Sequence, residues 1–197
     1  MLNALLETVS IFDERKSGSG MIYIGLGANL PGKYGDAEES LRAAMDVIEQ
    51  RGLKIIDRSS VWETAPVPYN SNQPWYKNAV ISISTDKTAS KVMALLLAIE
   101  KEFGRTRSVK NAPRILDLDL LAYDNLSVKT PYLTVPHPRM HERAFVLNPL
   151  KEIAPEWVHP QTGKHINTLL SEVSKDQRVV LPEAASGYKG YQRVASK

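Results

Sequence analysis

Apolar positions in this chain recur with two periods, and the switches between them outline a fold. Met21–Gly27 is a short continuous apolar run, which predicts a buried strand. Leu41, Ala44, Met45 and Ile48 then recur at helical spacing behind Asp36 and Glu39, a capping arrangement, and Gly52 stands where a helix ends. They predict a helix over 37–51. Leu53–Trp62, with Ile55, Ile56 and Val61, reads as a strand, and Asn78–Thr85 alternates and is rich in β-branched residues. Thr88 caps a second helix whose stripe is Val92, Leu95, Leu96, Ile99 and Phe103, closed by Gly104. Ile115–Leu121 is again a strand, with Leu116, Leu118 and Leu120 on one face. Asp124-Asn125 marks a turn after which Leu126–Lys129 pairs back as a hairpin; Ala144–Leu150 predicts a short helix or turn, and His165–Val173 a last helix.

The resulting order, β-α-β-β-α-β with C-terminal additions, is that of an α+β, ferredoxin-like antiparallel sheet with both helices on one face. The other face is expected to be open. Residues 1–20 read as a flexible extension: Leu2, Leu5, Leu6 and Val9 precede a Gly/Ser-containing linker. The folded domain is expected over 21–175, and 176–197 reads as a frayed tail.

Totals change this picture little. At 197 residues, one domain with tails is expected. The absence of cysteine excludes disulfides, thiol catalysis and cysteine-ligated zinc. A net charge of +3 and a pI near 9.0 suit an anionic substrate or weak nucleic-acid contact without choosing between them. No apolar run reaches membrane-spanning length, and no basic n-region with an apolar core opens the chain, so the expected location is cytoplasmic.

The chemistry gathers on the strand at 115–121. Asp117 and Asp119 alternate with the leucines and share the opposite face, where they repel one another. Hard oxygen donors of this kind suit Mg²⁺, which usually takes one or two carboxylates together with phosphate oxygens. A solvated sheet face is the competing reading. Arg114 precedes the pair, and Arg105–Asn111 is a basic loop that favours phosphate. Thr64–Pro74 is a proline-rich loop flanked by Trp62, Tyr69, Trp75 and Tyr76, either a site for a flat ring or aromatic packing against the core. His137 lies between two prolines. Glu100, near a helix C-terminus, is explained by a surface pair with a lysine. Gly25-Leu26-Gly27 lacks the third glycine of a dinucleotide fingerprint, so its glycines are read as allowing close backbone packing.

Arg114-Ile115-Leu116-Asp117-Leu118-Asp119-Leu120-Leu121 after Pro113 is similar to the signature of the 6-hydroxymethyl-7,8-dihydropterin pyrophosphokinases of folate biosynthesis. Tyr23–Leu30, Thr64-Ala65-Pro66, Tyr76-Lys77-Asn78-Ala79, Glu100-x-x-x-Gly104-Arg105-x-Arg107 and Val135-Pro136-His137 resemble that family as well, over about Ile22–Leu170. The resemblance implies Mg-dependent transfer of pyrophosphate from ATP to the pterin hydroxymethyl group, with release of AMP. It implies two Mg²⁺ ions on Asp117 and Asp119, and Arg105 and Arg114 as the catalytic cations. ATP would be held by Glu100, Arg105, Arg107, Arg114, Leu120, His137 and Arg143. The pterin would lie between Tyr76 and Phe145, with Thr64, Pro66, Val67, Asn78 and Asp117 around it. The partners implied are ATP and the pterin, for a monomer that engages neither nucleic acid nor membrane.

Two departures stand out. Asn111 occupies a position where many family members carry tryptophan, and the Thr64–Pro74 loop is about one residue longer. Rival readings are an RNA-binding module on a ferredoxin-like sheet and a D-x-D glycosyltransferase. The first lacks an aromatic pair on its middle strands; the second lacks a nucleotide-sugar domain of adequate size.

Overall fold

A computed structural model describes residues 21–66, 72–105 and 113–181. The sheet is antiparallel and six-stranded. β1 (Ile22–Ala28) lies between β5 (Asp117–Tyr123), at one edge, and β4 (Tyr76–Ser84). β2 (Lys54–Arg58) and β3 (Trp62–Thr64) both pair with β4, and β8 (Val179–Val180) adds to the outer edge of β3. β6 (Val128–Lys129) and β7 (Thr134–Val135) form a separate two-stranded ribbon. No helix among the described residues is long and apolar enough to cross a membrane.

α1 (Ala37–Gln50) starts at a full capping box: the Glu39 N–H donates to Asp36, and the Glu39 carboxylate accepts from the Asp36 N–H. α2 (Ala89–Glu102) starts at Thr88, whose hydroxyl accepts from the Lys91 N–H. Both helices bury their predicted stripes against Ile22, Ile24, Leu26, Leu118 and Leu120. This is the larger core.

The opposite face is not open along its length, as the sequence pattern had suggested. α3 (Ala144–Ile153) and α4 (Ile166–Glu172) cover part of it through a second core of Tyr23, Val80, Leu121, Val146, Leu147, Leu150, Ile166 and Leu169. Alternation puts Leu120 in the first core and Leu121 in the second, and a register shift between Tyr23 and Ile24 of β1 leaves Leu121 and Ala122 both in the second. The remaining stretch of that face carries Gly25 and Gly27 on β1, opposite Asp119 and Asp117 on β5. Small residues there leave room beside the carboxylates.

Three further expectations are corrected. The single strand over 53–62 is two strands, because Ser59 interrupts it: its N–H donates to the Val80 carbonyl and its hydroxyl accepts from the Val80 N–H, both at 2.9 Å. β6 pairs forward with β7 and not back with β5. The chain does not fray at 176, since Val179 and Val180 pair with Thr64 and Glu63.

Candidate active site

Arginine–carboxylate pairing organises the end of the sheet. α2 ends at Gly104, whose φ of 88° is a conformation that side chains rarely adopt. This left-handed turn brings the Arg105 N–H back to the Glu100 carbonyl at 3.0 Å and its guanidinium against the Glu100 carboxylate. Glu100 is 4% exposed and accepts the Leu118 N–H at 2.7 Å. It is therefore a buried anchor between α2 and β5, not a surface partner of a lysine. Burial pushes its carboxyl up to about 7, against the opposing pull of the Leu118 N–H and Arg105.

Asp117 receives two arginines. Arg105 Nη1 lies 2.6 Å from its Oδ1 and Arg114 Nη1 2.5 Å from its Oδ2. Asp119 is less closely held, with Arg143 Nη1 at 3.6 Å and His137 Nε2 at 3.9 Å. Burial first, and then the charge of Asp117, push the Asp119 carboxyl up to about 6. Burial, with Arg143 and Arg139 nearby, holds the His137 imidazole down at about 4, so it is neutral at pH 7. His137 Nδ1 accepts the Arg139 N–H at 3.2 Å, which leaves the ring proton on Nε2, facing Asp119. The His137 N–H itself donates to the Leu121 carbonyl at 2.8 Å.

The residues expected around a flat ring meet on β3 and β4. Thr64 pairs with Tyr76 and Trp62 with Asn78, so all four share one face. Asn78 Nδ2 donates to Thr64 Oγ1 at 2.7 Å, which leaves Asn78 Oδ1 as the acceptor it can offer. A Cβ at residue 27 would lie 2.9 Å from that oxygen, so any side chain there would push the Asn78 amide out of place. Trp62 belongs to the packing side of the question: it is buried, and its Nε1 donates to Glu152. Tyr76 is half-buried and accepts from Gln73 Nε2 at 2.7 Å. Phe145 lies beneath the Arg143 guanidinium, 5.4 Å from ring centre to Cζ. Pro66 lies two residues past the end of β3. Val67, Arg107 and Asn111 lie outside the described residues.

A cavity of about 230 Å³ adjoins Asp119. Met93, Leu120, Leu133, Thr134, His137 and Pro138 line it, and Tyr132 stands at its wall. Leu120 thus faces the first core and this cavity together.

Asn29 was not singled out from the sequence. Buried at 4% exposure, it donates from Nδ2 to the Pro74 carbonyl at 3.1 Å and accepts the Arg114 N–H at 2.8 Å. It ties the exit of β1 to both loops that flank the site. A buried polar residue just after a strand was the signal available. Gln177, treated below, carried none.

The fit to a divalent cation rests on the donor set. Asp117 and Asp119 are adjacent carboxylates on one face, and no group of three or more His, Asp or Glu able to hold a metal occurs among the described residues. Two carboxylates are what Mg²⁺ takes from a protein when phosphate and water complete its shell.

A family model described as 7,8-dihydro-6-hydroxymethylpterin-pyrophosphokinase (HPPK) matches residues 23–155. The chain belongs to the HPPK family. The 2-amino-4-hydroxy-6-hydroxymethyldihydropteridine pyrophosphokinase of Bacillus subtilis (strain 168) is 42% identical over 132 residues, 66% of this chain and 76% of that protein. Folic acid synthesis protein fol1 of Pneumocystis carinii is 35% identical over 162 residues, 82% of this chain but 21% of that protein. This HPPK-family chain therefore spans about a fifth of that relative's length. A triple mutant of Plasmodium falciparum HPPK-DHPS, crystallised with pteroate, superposes with a TM-score of 0.61 at 14% identity over 85% of this chain and 46% of that one. At that identity the likeness is one of fold.

Proposed function

We propose that this chain transfers the β,γ-pyrophosphoryl group of ATP to the hydroxymethyl oxygen of 6-hydroxymethyl-7,8-dihydropterin and releases AMP. The observation that carries this reading is the convergence of Arg105, Arg114 and Arg143 on the Asp117–Asp119 pair, between a cavity and the Thr64–Asn78 face, in a chain of the HPPK family.

The pterin hydroxyl oxygen forms a bond to the β-phosphorus as the bond from that phosphorus to the bridging α-oxygen breaks. The hydroxyl proton leaves to solvent, and AMP departs with the bridging electrons. Charge spreads over the transferring oxygens, so catalysis consists mainly of positioning and neutralisation. Arg105 and Arg114 meet the phosphates, and the sequence resemblance assigns Arg107 to ATP as well. Glu100 acts through Arg105. Arg143 and the His137 Nε2–H face the nucleotide beside Leu120 and the cavity, which takes its base. Tyr76 and Phe145 flank the pterin ring; Asn78 Oδ1 accepts from its hydrogen-bonding edge, with Thr64 and Pro66 completing that wall, and the sequence resemblance assigns Val67 to the pterin as well. Asp117 borders both substrates.

Asp117 and Asp119 would hold two Mg²⁺ ions, which when bound neutralise the triphosphate and polarise the transferring phosphorus. Arg105 and Arg114 both hold Asp117, so its oxygens would be available to a cation only where those guanidiniums face phosphate instead. The strand order β5-β1-β4, with β2 and β3 both on the far side of β4, supports a ferredoxin-like core. Residues 21–181 are proposed as the catalytic unit, acting as a monomer.

The test is the nucleotide product. Incubation with ATP, Mg²⁺ and 6-hydroxymethyl-7,8-dihydropterin is expected to yield AMP and the pterin diphosphate in equal amounts. ADP formation, or no turnover, overturns the reading.

A further inference from the structure

The family match ends at residue 155, yet residues well beyond it brace the site. α3 begins at Ala144, with Arg143 in the cap position and no side-chain cap from it. Arginine has no acceptor and cannot cap a helix start. The positive end of a helix also disfavours a cation. This position is thus doubly unfavourable to arginine, and the first N–H groups of α3 need a partner from elsewhere.

Gln177 supplies one from 33 residues away. Its Oε1 accepts the Ala144 N–H at 2.8 Å, and its Nε2 donates to the Glu142 carbonyl at 2.7 Å. One side-chain amide therefore fixes the backbone on both sides of Arg143. The Arg143 side chain turns to Asp119 and over the Phe145 ring. The turn at Ser174, whose carbonyl accepts the Gln177 N–H at 3.3 Å, sets Gln177 in place. The next residues belong to the opposite wall: the Arg178 carbonyl accepts the Ala65 N–H at 3.0 Å, and Val179 and Val180 pair with Thr64 and Glu63. Four residues strap the start of α3 to β3.

We propose that Gln177 is a positioning residue for Arg143, setting the reach of its guanidinium for a nucleoside triphosphate. This rests on the nucleotide reading of the site given above.

The experiment titrates the full chain with α,β-methylene-ATP and Mg²⁺ by calorimetry, with melting temperatures in parallel. Gln177→Ala is expected to loosen the analogue about fivefold, the worth of one lost cap. The ATP KM should rise with it while kcat changes less. Gln177→Glu keeps the acceptor for Ala144 but sets a carboxylate oxygen against the Glu142 carbonyl in place of the Nε2 donor, so it should also loosen the analogue, by less than the alanine variant does. In an Arg143→Ala background, Gln177→Ala should cost no further affinity. A lowered melting temperature with unchanged affinity overturns the proposal, as does an equal loss of affinity in the Arg143→Ala background. Gln177→Met has similar length without the hydrogen bonds and carries the same expectation should the alanine variant not fold. If neither folds, Gln177 is structural and the proposal falls. A wild-type chain that does not bind the analogue overturns the nucleotide reading itself, and the positioning role with it.

Discussion

Asp117 and Asp119 sit two residues apart on one strand face, yet their surroundings differ. Asp117 is held by Arg105 and Arg114 within 2.6 Å, whereas the nearest cation to Asp119 is at 3.6 Å. Asp119 accordingly retains the raised carboxyl expected of a half-buried charge beside another carboxylate. Asp117→Ala and Asp119→Ala should each lower AMP formation by at least about 100-fold, since even partners of metal ligands are worth 10- to 100-fold. Steady-state rates near those of the wild type in either variant would remove the cation from that residue. The pair was legible because strand alternation alone puts both carboxylates on one face. Glu100 was misread because its environment is not local: the N–H it accepts comes from Leu118, 18 residues later, and no helix pattern reports that. Asn29 was missed for the same reason, its partners being 45 and 85 residues distant.

Strand β3 is three residues long and would hold poorly by pairing alone. Glu152 on α3 secures it. Its carboxylate accepts the Ser60 N–H at 2.9 Å, the Ser60 hydroxyl at 2.7 Å and Trp62 Nε1 at 2.9 Å. Glu152→Ala leaves the buried indole N–H without this acceptor and should cost about 3 kcal/mol, read from urea unfolding, with weaker pterin binding in consequence. Trp62→Phe in the same background should recover part of that stability. α1 and α2 were read within a residue or two because their caps and stripes are local, whereas α3 runs three residues past its expected end at Leu150 and has no cap of its own. The break between β2 and β3 was not, because the Ser59 side chain takes over a backbone role there. β8 escaped notice likewise: two valines become a strand only when the edge of β3 lies beside them.

At the scale of the molecule, two cores on opposite faces of one sheet explain why the site is a bounded valley and not an open face. The second core is flanked by a cluster with its own pH response. His159 is 2% exposed; its Nδ1 accepts the Gln161 N–H at 3.2 Å, and Trp157 and His141 stand edge-on to its ring. Burial, and then His141, lower its pKa from the ordinary 6.5. The unfolded chain therefore binds a proton that the folded chain refuses. The stabilisation by His159 is full above 6.5 and declines as pH falls below it. His159→Asn keeps an acceptor near Nδ1 and removes the titration. Urea melts from about pH 7.5 to about pH 5 should show wild type losing stability relative to this variant on the acid side; parallel curves would dismiss the effect.

The double pairing of Asp117 makes the resting site a closed exchange. Two guanidiniums and an incoming cation want the same carboxylate, and a triphosphate wants the two guanidiniums. In the proposed enzyme Asp117 is released to the cation only as its two guanidiniums turn to the triphosphate, whereas Asp119 is held less closely. Nucleotide and magnesium should each tighten the other's binding, by the same factor in both directions. A nucleotide titration without magnesium should be weaker than with it by that factor, and Arg114→Ala should shrink the difference.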